Sequence, residues 1–176
     1  MSAAALLRRY HDATTDFAPK DPYWQLEERE PPEVICHGDY APYNAVFDEG
    51  RVVGIIDFDT AHPGPRTWDI CYALYRWAPI ASPENPDSIA ELPEQLERAR
   101  AFCDAYGLPL QQREAMADLM VCRLRYLVHF MKDQARLGVE SYQQNLIDGH
   151  HVLYEQDIAY IRQNAKFIND GLVAKY

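Results

Sequence analysis

Two short β-branched segments joined by a turn, with helical patterns on either side, restrict the fold of this chain more than any other feature. The stretch "NAVFDEGRVVGIIDFD" predicts two strands around the Asp48-Glu49-Gly50 turn, because Val and Ile favour extended backbone and Gly favours a turn. A shorter apolar run, "EVIC", precedes this hairpin and ends in His-Gly-Asp. The β part is therefore predicted to be a small element of the protein.

The rest of the chain shows mostly helical periodicity. Helices are predicted at 3–17, from an N-cap at Thr67, and at 93–106, 110–137 and 139–170, with Gly107 and Gly138 at two C-terminal ends. The segment "AMADLMVCRLRYLVHFM" is apolar nearly all round, which indicates a helix buried on most sides. The predicted fold class is mainly α with a small β-hairpin element, an α+β arrangement.

Length and charge narrow the class of protein. With 176 residues, the chain can build one well-buried core but is short for two, so 1–176 is expected to be a single domain. The formal net charge of -10 argues against binding to nucleic acid or anionic membrane and favours small cationic molecules. No secretion signal, membrane-length apolar run or C-x-x-C pair is visible, so a cytoplasmic location with reduced cysteines is expected.

A cluster of polar residues surrounds the predicted hairpin. Asp39 and Asn44 lie on the loop before it and Asp57 follows it, so a curled loop can bring the three side chains to one cleft. Phosphoryl transfer needs a carboxylate for the attacking hydroxyl and a divalent metal on the phosphates, and Mg²⁺ prefers oxygen ligands. Asp39 is therefore a candidate base, and Asn44 and Asp57 are candidate metal ligands. The alternative is that Asp39 and Asn44 are turn formers around Pro42.

The motifs "HGDYAPYN" and "IIDFDTA" together resemble the catalytic loop and metal-binding segment of the aminoglycoside phosphotransferase and choline kinase family, which has a protein-kinase-like fold. The resemblance implies transfer of the γ-phosphoryl group of ATP or GTP to a hydroxyl of a small acceptor with Mg²⁺. It implies that Asp39 is the catalytic base and that Asn44 and Asp57 bind the metal. It also implies that His37 braces the loop.

Two further acids are predicted to support this site. In "PGPRTWDICYAL", Asp69 matches a family acid that supports the catalytic loop from beneath. Asp59 is expected either to add a metal contact or to be solvated or salt-bridged. The resemblance covers nearly the whole chain but only the C-terminal lobe of the family, so the N-terminal nucleotide-clamping lobe is expected to be absent. No residue is predicted to bind the acceptor, which is expected to dock on the helices after residue 92.

Other functions remain open from the sequence. One is a C-terminal lobe without catalysis, which binds a ligand, forms a homodimer or pairs with a partner that supplies the missing lobe. Another takes "VVGIIDFDTA" as the D-x-D-T strand of a haloacid-dehalogenase-like phosphatase, whose parallel strands and later lysine do not follow. A metallophosphoesterase would use the set His37, Asp39, Asp57 and His62. Arg123 and Arg125 are expected to pair with acids such as Asp69 or Asp118.

Overall fold

The computed structural model describes residues 1–174 and confirms the mainly helical α+β fold class. The helices are α1 (Ser2–Ala13), α2 (Arg66–Trp77), α3 (Leu92–Tyr106), α4 (Leu110–Arg113), α5 (Met116–Arg136), α6 (Glu140–Ile147), α7 (His150–Gln163) and α8 (Ala165–Val173). The strands are β1 (Val34–Cys36), β2 (Ala45–Asp48), β3 (Arg51–Ile55) and β4 (His62–Gly64). A single 3₁₀ turn, Pro42–Asn44, leads into β2.

The strands form two separate antiparallel pairs. β2 and β3 make the predicted hairpin, with Ala45 opposite Ile55 and Gly50 in the turn at φ 74°. β1 pairs with β4, a strand that the sequence did not predict, because its His-Pro-Gly composition is unfavourable for a strand. The phosphatase alternative needs parallel strands, and both strand pairs within residues 1–174 are antiparallel, so the structure does not support it.

One hydrophobic core joins the helices. Its fully buried side chains come from α1, α2, α5, α7 and α8, as Leu7, Ile70, Leu74, Met120, Ile161 and Leu172 show. α5 contacts α2, α6, α7 and α8, which agrees with its prediction as a helix buried on most sides. No helix in the part of the chain that the structure describes is long and apolar enough to cross a bilayer.

Hydrogen bonds attach the loop between β1 and β2, and the hairpin that follows it, to the helical body. The Tyr40 hydroxyl donates to the Ala3 carbonyl at 2.9 Å, and Trp77 Nε1 donates to the Tyr40 carbonyl at 3.1 Å. The Val52 amide donates to Ser2 Oγ at 2.9 Å, which attaches the hairpin to α1. The polar loop and the hairpin therefore lie on the ends of α1 and α2.

Several predicted helices are shorter than expected. The segment 110–137 is divided into α4 and α5, because Ala115 leaves helical geometry at φ -113° and ψ 16°. The segment 139–170 is divided into α6, α7 and α8, and the first break is at Gly149, whose φ of 79° cannot continue a right-handed helix. Helical periodicity persists across such breaks, so the sequence pattern alone did not reveal them.

The predicted ends of three helices, α2, α3 and α5, can be compared with the structure. Gly107 and Gly138 have φ of 80° and 89° just after α3 and α5, which confirms them at C-terminal ends. The Thr67 N-cap prediction is wrong, because the N-cap of α2 is Pro65, two residues earlier, and the helix begins at Arg66. Proline supplies no side-chain hydrogen bond there, and the Pro65 carbonyl accepts the Trp68 amide instead.

Candidate active site

The loop that carries the predicted base contains a glycine, Gly38, that no other residue can replace unless the neighbouring backbone moves. Gly38 has a φ of 81°, in the left-handed region. A Cβ atom placed on it would overlap the Thr60 carbonyl oxygen and come within 2.9 Å of Thr60 Oγ1. Thr60 Oγ1 also donates to the His37 carbonyl at 3.2 Å. The loop and the segment after β3 are therefore in direct backbone contact.

His37 connects the two parts of the predicted site. Its buried imidazole accepts the Asp39 amide at Nδ1, at 3.2 Å, and Nε2 lies 3.0 Å from the Ile56 carbonyl. Because a backbone N–H donates to Nδ1, the proton of the neutral ring is on Nε2 and is donated to Ile56. The ring thus joins the residue that carries the candidate base to the residue just before Asp57, as a brace for the loop would.

Asp39 is held by two neighbours on its own loop. The Tyr43 hydroxyl donates to Oδ1 at 2.8 Å, and Asn44 Nδ2 donates to Oδ2 at 2.9 Å. Asn44 Nδ2 also donates to the Asp39 backbone carbonyl at 3.0 Å. Both carboxylate oxygens accept hydrogen bonds, so the side chain has one fixed orientation at the half-buried loop surface. This ordering goes beyond what a simple turn former needs.

Backbone contacts bring Asp57 beside Asn44. The Ile56 amide donates to the Asn44 carbonyl at 3.1 Å, directly before Asp57 in the chain. Asp57 itself is exposed and has a φ of 64°, a left-handed conformation that a non-glycine residue seldom adopts. β3 ends at Ile55, so Asp57 lies on the turn after the strand and its orientation is set by that turn.

The oxygen atoms near this turn fit a magnesium ion. Asn44 uses its Nδ2 for Asp39, and within residues 1–174 its Oδ1 accepts no hydrogen bond. The Asp57 carboxylate likewise has no hydrogen bond or ion pair to a described residue. Mg²⁺ is commonly bound by one or two carboxylates together with substrate phosphates and waters. The described residues contain no cluster of three or more His, Cys, Asp or Glu arranged as an all-protein metal site.

Asp69 lies directly beneath the loop. Its Oδ2 accepts the His37 amide at 2.7 Å and its Oδ1 accepts the Gly38 amide at 3.0 Å, although the side chain is fully buried. Burial alone would raise the pKa of Asp69, but the hydrogen bond and charge of His11 and the contacts with His37 lower it to about 2. A carboxylate that is ionised at neutral pH therefore holds the amides of His37 and Gly38.

His11, on α1, is a buried supporting residue that the sequence analysis did not assign to the site. Its Nε2 lies 3.0 Å from Asp69 Oδ2, and its Nδ1 lies 2.7 Å from the Tyr106 hydroxyl. Arg66 Nη1 donates to the same hydroxyl at 3.3 Å. This buried network connects α1 and α3 to the loop. The contacts span about 60 to 100 residues in the chain, so no local pattern could have indicated them.

A cavity of about 220 Å³ opens beside Asp39. Its walls come from the loop and from α2, α5, α6 and α7, and include six aromatic side chains, those of Tyr43, Tyr72, Tyr126, Phe130, Tyr142 and Tyr154. The expectation that the acceptor docks on helices after residue 92 stays a prediction, and this cavity is the space it would use. Asp39 is the sole acid in the lining within the part of the chain described.

Asp59 and Tyr142 are the next two residues to place relative to Asp39 and Asp57. Asp59 is exposed and pairs with no described residue, and β3 does not continue to place it on the same face as Asp57. Burial raises the pKa of Tyr142, and the negative charges of Asp39, Asp57 and Asp59 raise it further. The fields of the three carboxylates therefore overlap at the cavity mouth.

Arg123 reaches this site from α5. The predicted pairing with an acid such as Asp69 or Asp118 is wrong, because Nη2 donates to the Gly38 carbonyl. Its guanidinium carbon lies 4.6 Å from the centre of the Tyr72 ring. The buried side chain lines the cavity next to the loop that holds Asp39.

The fold and the site define a class of protein. The sequence profile of the Phosphotransferase enzyme family (APH) matches residues 2–119, which include the loop, the hairpin and Asp69. The chain belongs to this family, a group of kinase-like phosphotransferases. The family expected from the two sequence motifs is therefore confirmed.

Individual relatives extend over different parts of the chain. It is 31% identical over 151 residues to the trifolitoxin immunity protein of Rhizobium leguminosarum bv. trifolii, which covers 80% of this chain and 55% of that protein. It is 30% identical over 93 residues, 53% of this chain and 24% of the other, to an uncharacterized protein of Deinococcus radiodurans. It is 46% identical over 46 residues, 26% of this chain and 14% of the other, to the homoserine kinase of Phenylobacterium zucineum.

The chain thus spans about half the length of the first of these curated relatives, and less of the other two. No solved structure matches it.

Proposed function

We propose that this chain is the catalytic lobe of a cytoplasmic small-molecule kinase that transfers the γ-phosphoryl group of ATP or GTP to a hydroxyl group. The observation that carries the proposal is the ordered Asp39 carboxylate, held by Tyr43 and Asn44 at the wall of a cavity, with Asp57 adjacent to Asn44. The homoserine kinase relative, by its name, acts on an alcohol, which supports a hydroxyl acceptor.

The residues divide the reaction between them. Asp39 accepts a hydrogen bond from the acceptor hydroxyl and takes its proton as the oxygen attacks the γ-phosphorus and the bond to the leaving nucleoside diphosphate breaks. Asn44 Oδ1 and the Asp57 carboxylate would hold Mg²⁺, which when bound neutralises phosphate charge. The brace through His37 keeps the base and the metal-binding turn in register, and such positioning is the main protein contribution to phosphoryl transfer.

Two substitutions test these roles separately. With Mg²⁺ and ATP or GTP, calorimetry measures nucleotide binding and a coupled assay measures transfer to a panel of small alcohols. Asp57→Asn is expected to weaken metal-dependent nucleotide binding, while Asp39→Asn is expected to retain binding and lose at least about a hundredfold in transfer. Transfer at the wild-type rate by Asp39→Asn would show that the base is assigned wrongly. No nucleotide binding at millimolar concentration would exclude kinase activity of this chain alone.

A second candidate is a lobe that associates without catalysis. Phe47, Val53 and Ile56 on and after the hairpin are about half exposed, and Phe58 is nearly so. Exposed apolar side chains on and after the hairpin favour contact with another surface. We propose a second copy of the chain as the occupant, and a partner that supplies a nucleotide-clamping lobe is the alternative that the binding assay distinguishes, since nucleotide would then bind only to the mixture.

A further inference from the structure

We propose that the acceptor carries an anionic group, a carboxylate in the first place, and that Arg123 binds this group in the wall of the cavity. The inference rests on the proposed function, because it names the acceptor class of the same site. It replaces the cationic acceptor that the net charge of the chain suggested.

Arg123 is a buried cation without a counter-ion. Its side chain is 2% exposed, and within residues 1–174 it forms no ion pair. Nη2 donates to Gly38, but Nε and Nη1 have no hydrogen-bond partner. An arginine is always charged, and a buried charge is costly unless it is paired. An anionic ligand would supply the missing partner.

The other buried arginine shows the usual arrangement. Arg113 is similarly buried, but its Nη2 lies 2.7 Å from Asp104 Oδ1, and its Nε and Nη2 also donate to the Leu108 carbonyl. That guanidinium is satisfied by the protein itself. Arg123 differs from it in two respects, because it lacks a carboxylate and because it lines a cavity.

The charges around the cavity also favour an anion over a polycation. Asp39 is the lone acidic side chain that the described residues contribute to the lining, and Asp39 is already assigned to the hydroxyl. An acceptor with several ammonium groups would find no further carboxylate in the described lining, because Asp57 and Asp59 act on the lining residue Tyr142 from outside it. The acidic residues responsible for the net charge of -10 therefore lie mostly outside the cavity.

The position of Arg123 limits the length of the acceptor. The carbonyl that accepts its hydrogen bond belongs to Gly38, the residue immediately before Asp39. The anion-binding group on α5 thus contacts the loop residue next to the candidate base. Around them, aromatic rings such as Tyr72, Tyr126 and Phe130 offer flat apolar surface. A compact hydroxy acid with an apolar or aromatic body matches this arrangement.

A charge series of probes tests the inference without nucleotide or metal. Calorimetry is used to measure binding of meta-hydroxymethylbenzoate, its primary amide and the corresponding benzylamine, which share a shape and a hydroxyl but differ in charge. The wild-type chain is expected to bind the benzoate at least about tenfold more tightly than the amide, and the benzylamine most weakly. Benzoate affinity no higher than that of the amide or the benzylamine, or no benzoate binding at millimolar concentration, would overturn the proposal.

Substitutions test whether Arg123 causes the preference for the benzoate. Arg123→Gln is expected to reduce the benzoate preference to within about twofold, and Arg123→Lys to retain part of it. Arg125→Gln, on the exposed face of the same helix, is the control expected to leave it unchanged. His150→Gln tests whether a different side chain of the cavity wall causes the preference. Thermal melting checks that each variant folds. If Arg123→Gln does not fold, the three affinities of the wild-type chain decide whether the cavity prefers an anion. Loss of the preference in His150→Gln alone would contradict the assignment to Arg123.

A final measurement separates the acceptor from the nucleotide as the source of the anion. If Arg123→Gln lowers the affinity for Mg²⁺ and ATP but leaves benzoate binding unchanged, the guanidinium serves a phosphate and the proposal fails. The tests also keep the two proposals apart. Benzoate binding without any transfer would refute the kinase function alone, whereas preferred phosphorylation of uncharged or cationic alcohols would refute the anionic acceptor alone.

Discussion

His11 Nε2 lies 3.0 Å from Asp69 Oδ2, and both side chains are completely buried. Because Asp69 also accepts the amides of His37 and Gly38, this contact connects the first helix to the loop that carries Asp39. The orientation of the candidate base therefore depends on a helix that does not itself line the cavity.

The Asp69 carboxylate should make the stability of the fold depend on pH. Its pKa is lowered from 3.8 to about 2 in the folded chain, so it stabilises the fold above the unfolded pKa, and this contribution is lost as pH falls from about 5 toward 2. The shift corresponds to about 2 kcal/mol. Urea unfolding at several pH values is expected to show Asp69→Asn less stable than wild type at pH 7, with the difference narrowing in acid.

Asp16→Asn is the matched control for this experiment, because Asp16 is exposed and contacts no described partner. Its free energy of unfolding is expected to stay within about 0.5 kcal/mol of wild type at each pH. A difference between Asp69→Asn and wild type that does not change with pH would contradict the role of the ionised carboxylate.

Gly38→Ala should destabilise the protein more than Gly50→Ala. Both glycines have positive φ, so both substitutions carry a backbone cost of about 1 kcal/mol. Only Gly38 would also push its Cβ into the Thr60 backbone, whereas Gly50 has no atom within 4 Å of that position. An extra loss of about 1–3 kcal/mol is expected for Gly38→Ala, measured as a lower urea midpoint at an unchanged slope. Equal losses would show that the loop can move away from Thr60.

His37→Phe should damage both stability and ligand binding. The substitution keeps a ring of similar size but leaves the Asp39 amide and the Ile56 carbonyl without their partners. A loss of about 2–4 kcal/mol in unfolding free energy is expected, with weaker Mg²⁺-dependent nucleotide binding in the fraction that folds.

The corresponding control is His129→Phe, because His129 is exposed and, among the described residues, its one ion pair is with Asp133 on its own helix, at 3.5 Å. A change of less than about 0.5 kcal/mol is expected there. Unaltered stability in His37→Phe would mean that the imidazole does not hold the two segments together.

Phe47→Glu should weaken any self-association that occurs through the exposed apolar residues of the hairpin, Phe47 and Val53. Phe47 and Phe167 have nearly the same exposure, 51% and 53%, but Phe167 lies on α8, which packs mainly against α3, α4 and α5. Sedimentation velocity at increasing concentration is expected to show wild type and Phe167→Glu associating alike and Phe47→Glu remaining smaller. If wild type stays monomeric at every concentration, or if both variants associate as wild type does, the hairpin does not bind a second copy.

The sequence predicted those parts of the site that are local in the chain. Asp39, Asn44 and Asp57 lie within about twenty residues, and the turn and hairpin that bring them together follow from glycine, proline and β-branched residues in that stretch. Asn44 is hydrogen-bonded to Asp39 and to Ile56, the residue before Asp57, but the catalytic and metal-binding roles stay predictions.

Contacts between helices that are distant in the chain could not be predicted from the sequence. The helical pattern predicted the helix that carries His11, but nothing in it showed that Asp69 would be the partner of this residue. For Arg123, the pattern suggested burial and an acidic partner, and the actual acceptor is a backbone carbonyl 85 residues earlier. Periodicity shows which side of a helix faces the core, whereas the group opposite depends on how the helices pack.

The contacts that align Asp39 with Asp57 all lie at the base of the hairpin, where His37 meets Ile56 and Gly38 meets Thr60. The tip at Gly50 is exposed and takes no part in them. Insertions or deletions at the tip should therefore leave the separation of the two carboxylates unchanged. Asp57 follows Asn44 by thirteen residues because the hairpin between them has that length, and the site itself does not require this spacing. Relatives with a longer or shorter hairpin can therefore place the same side chains in the same positions.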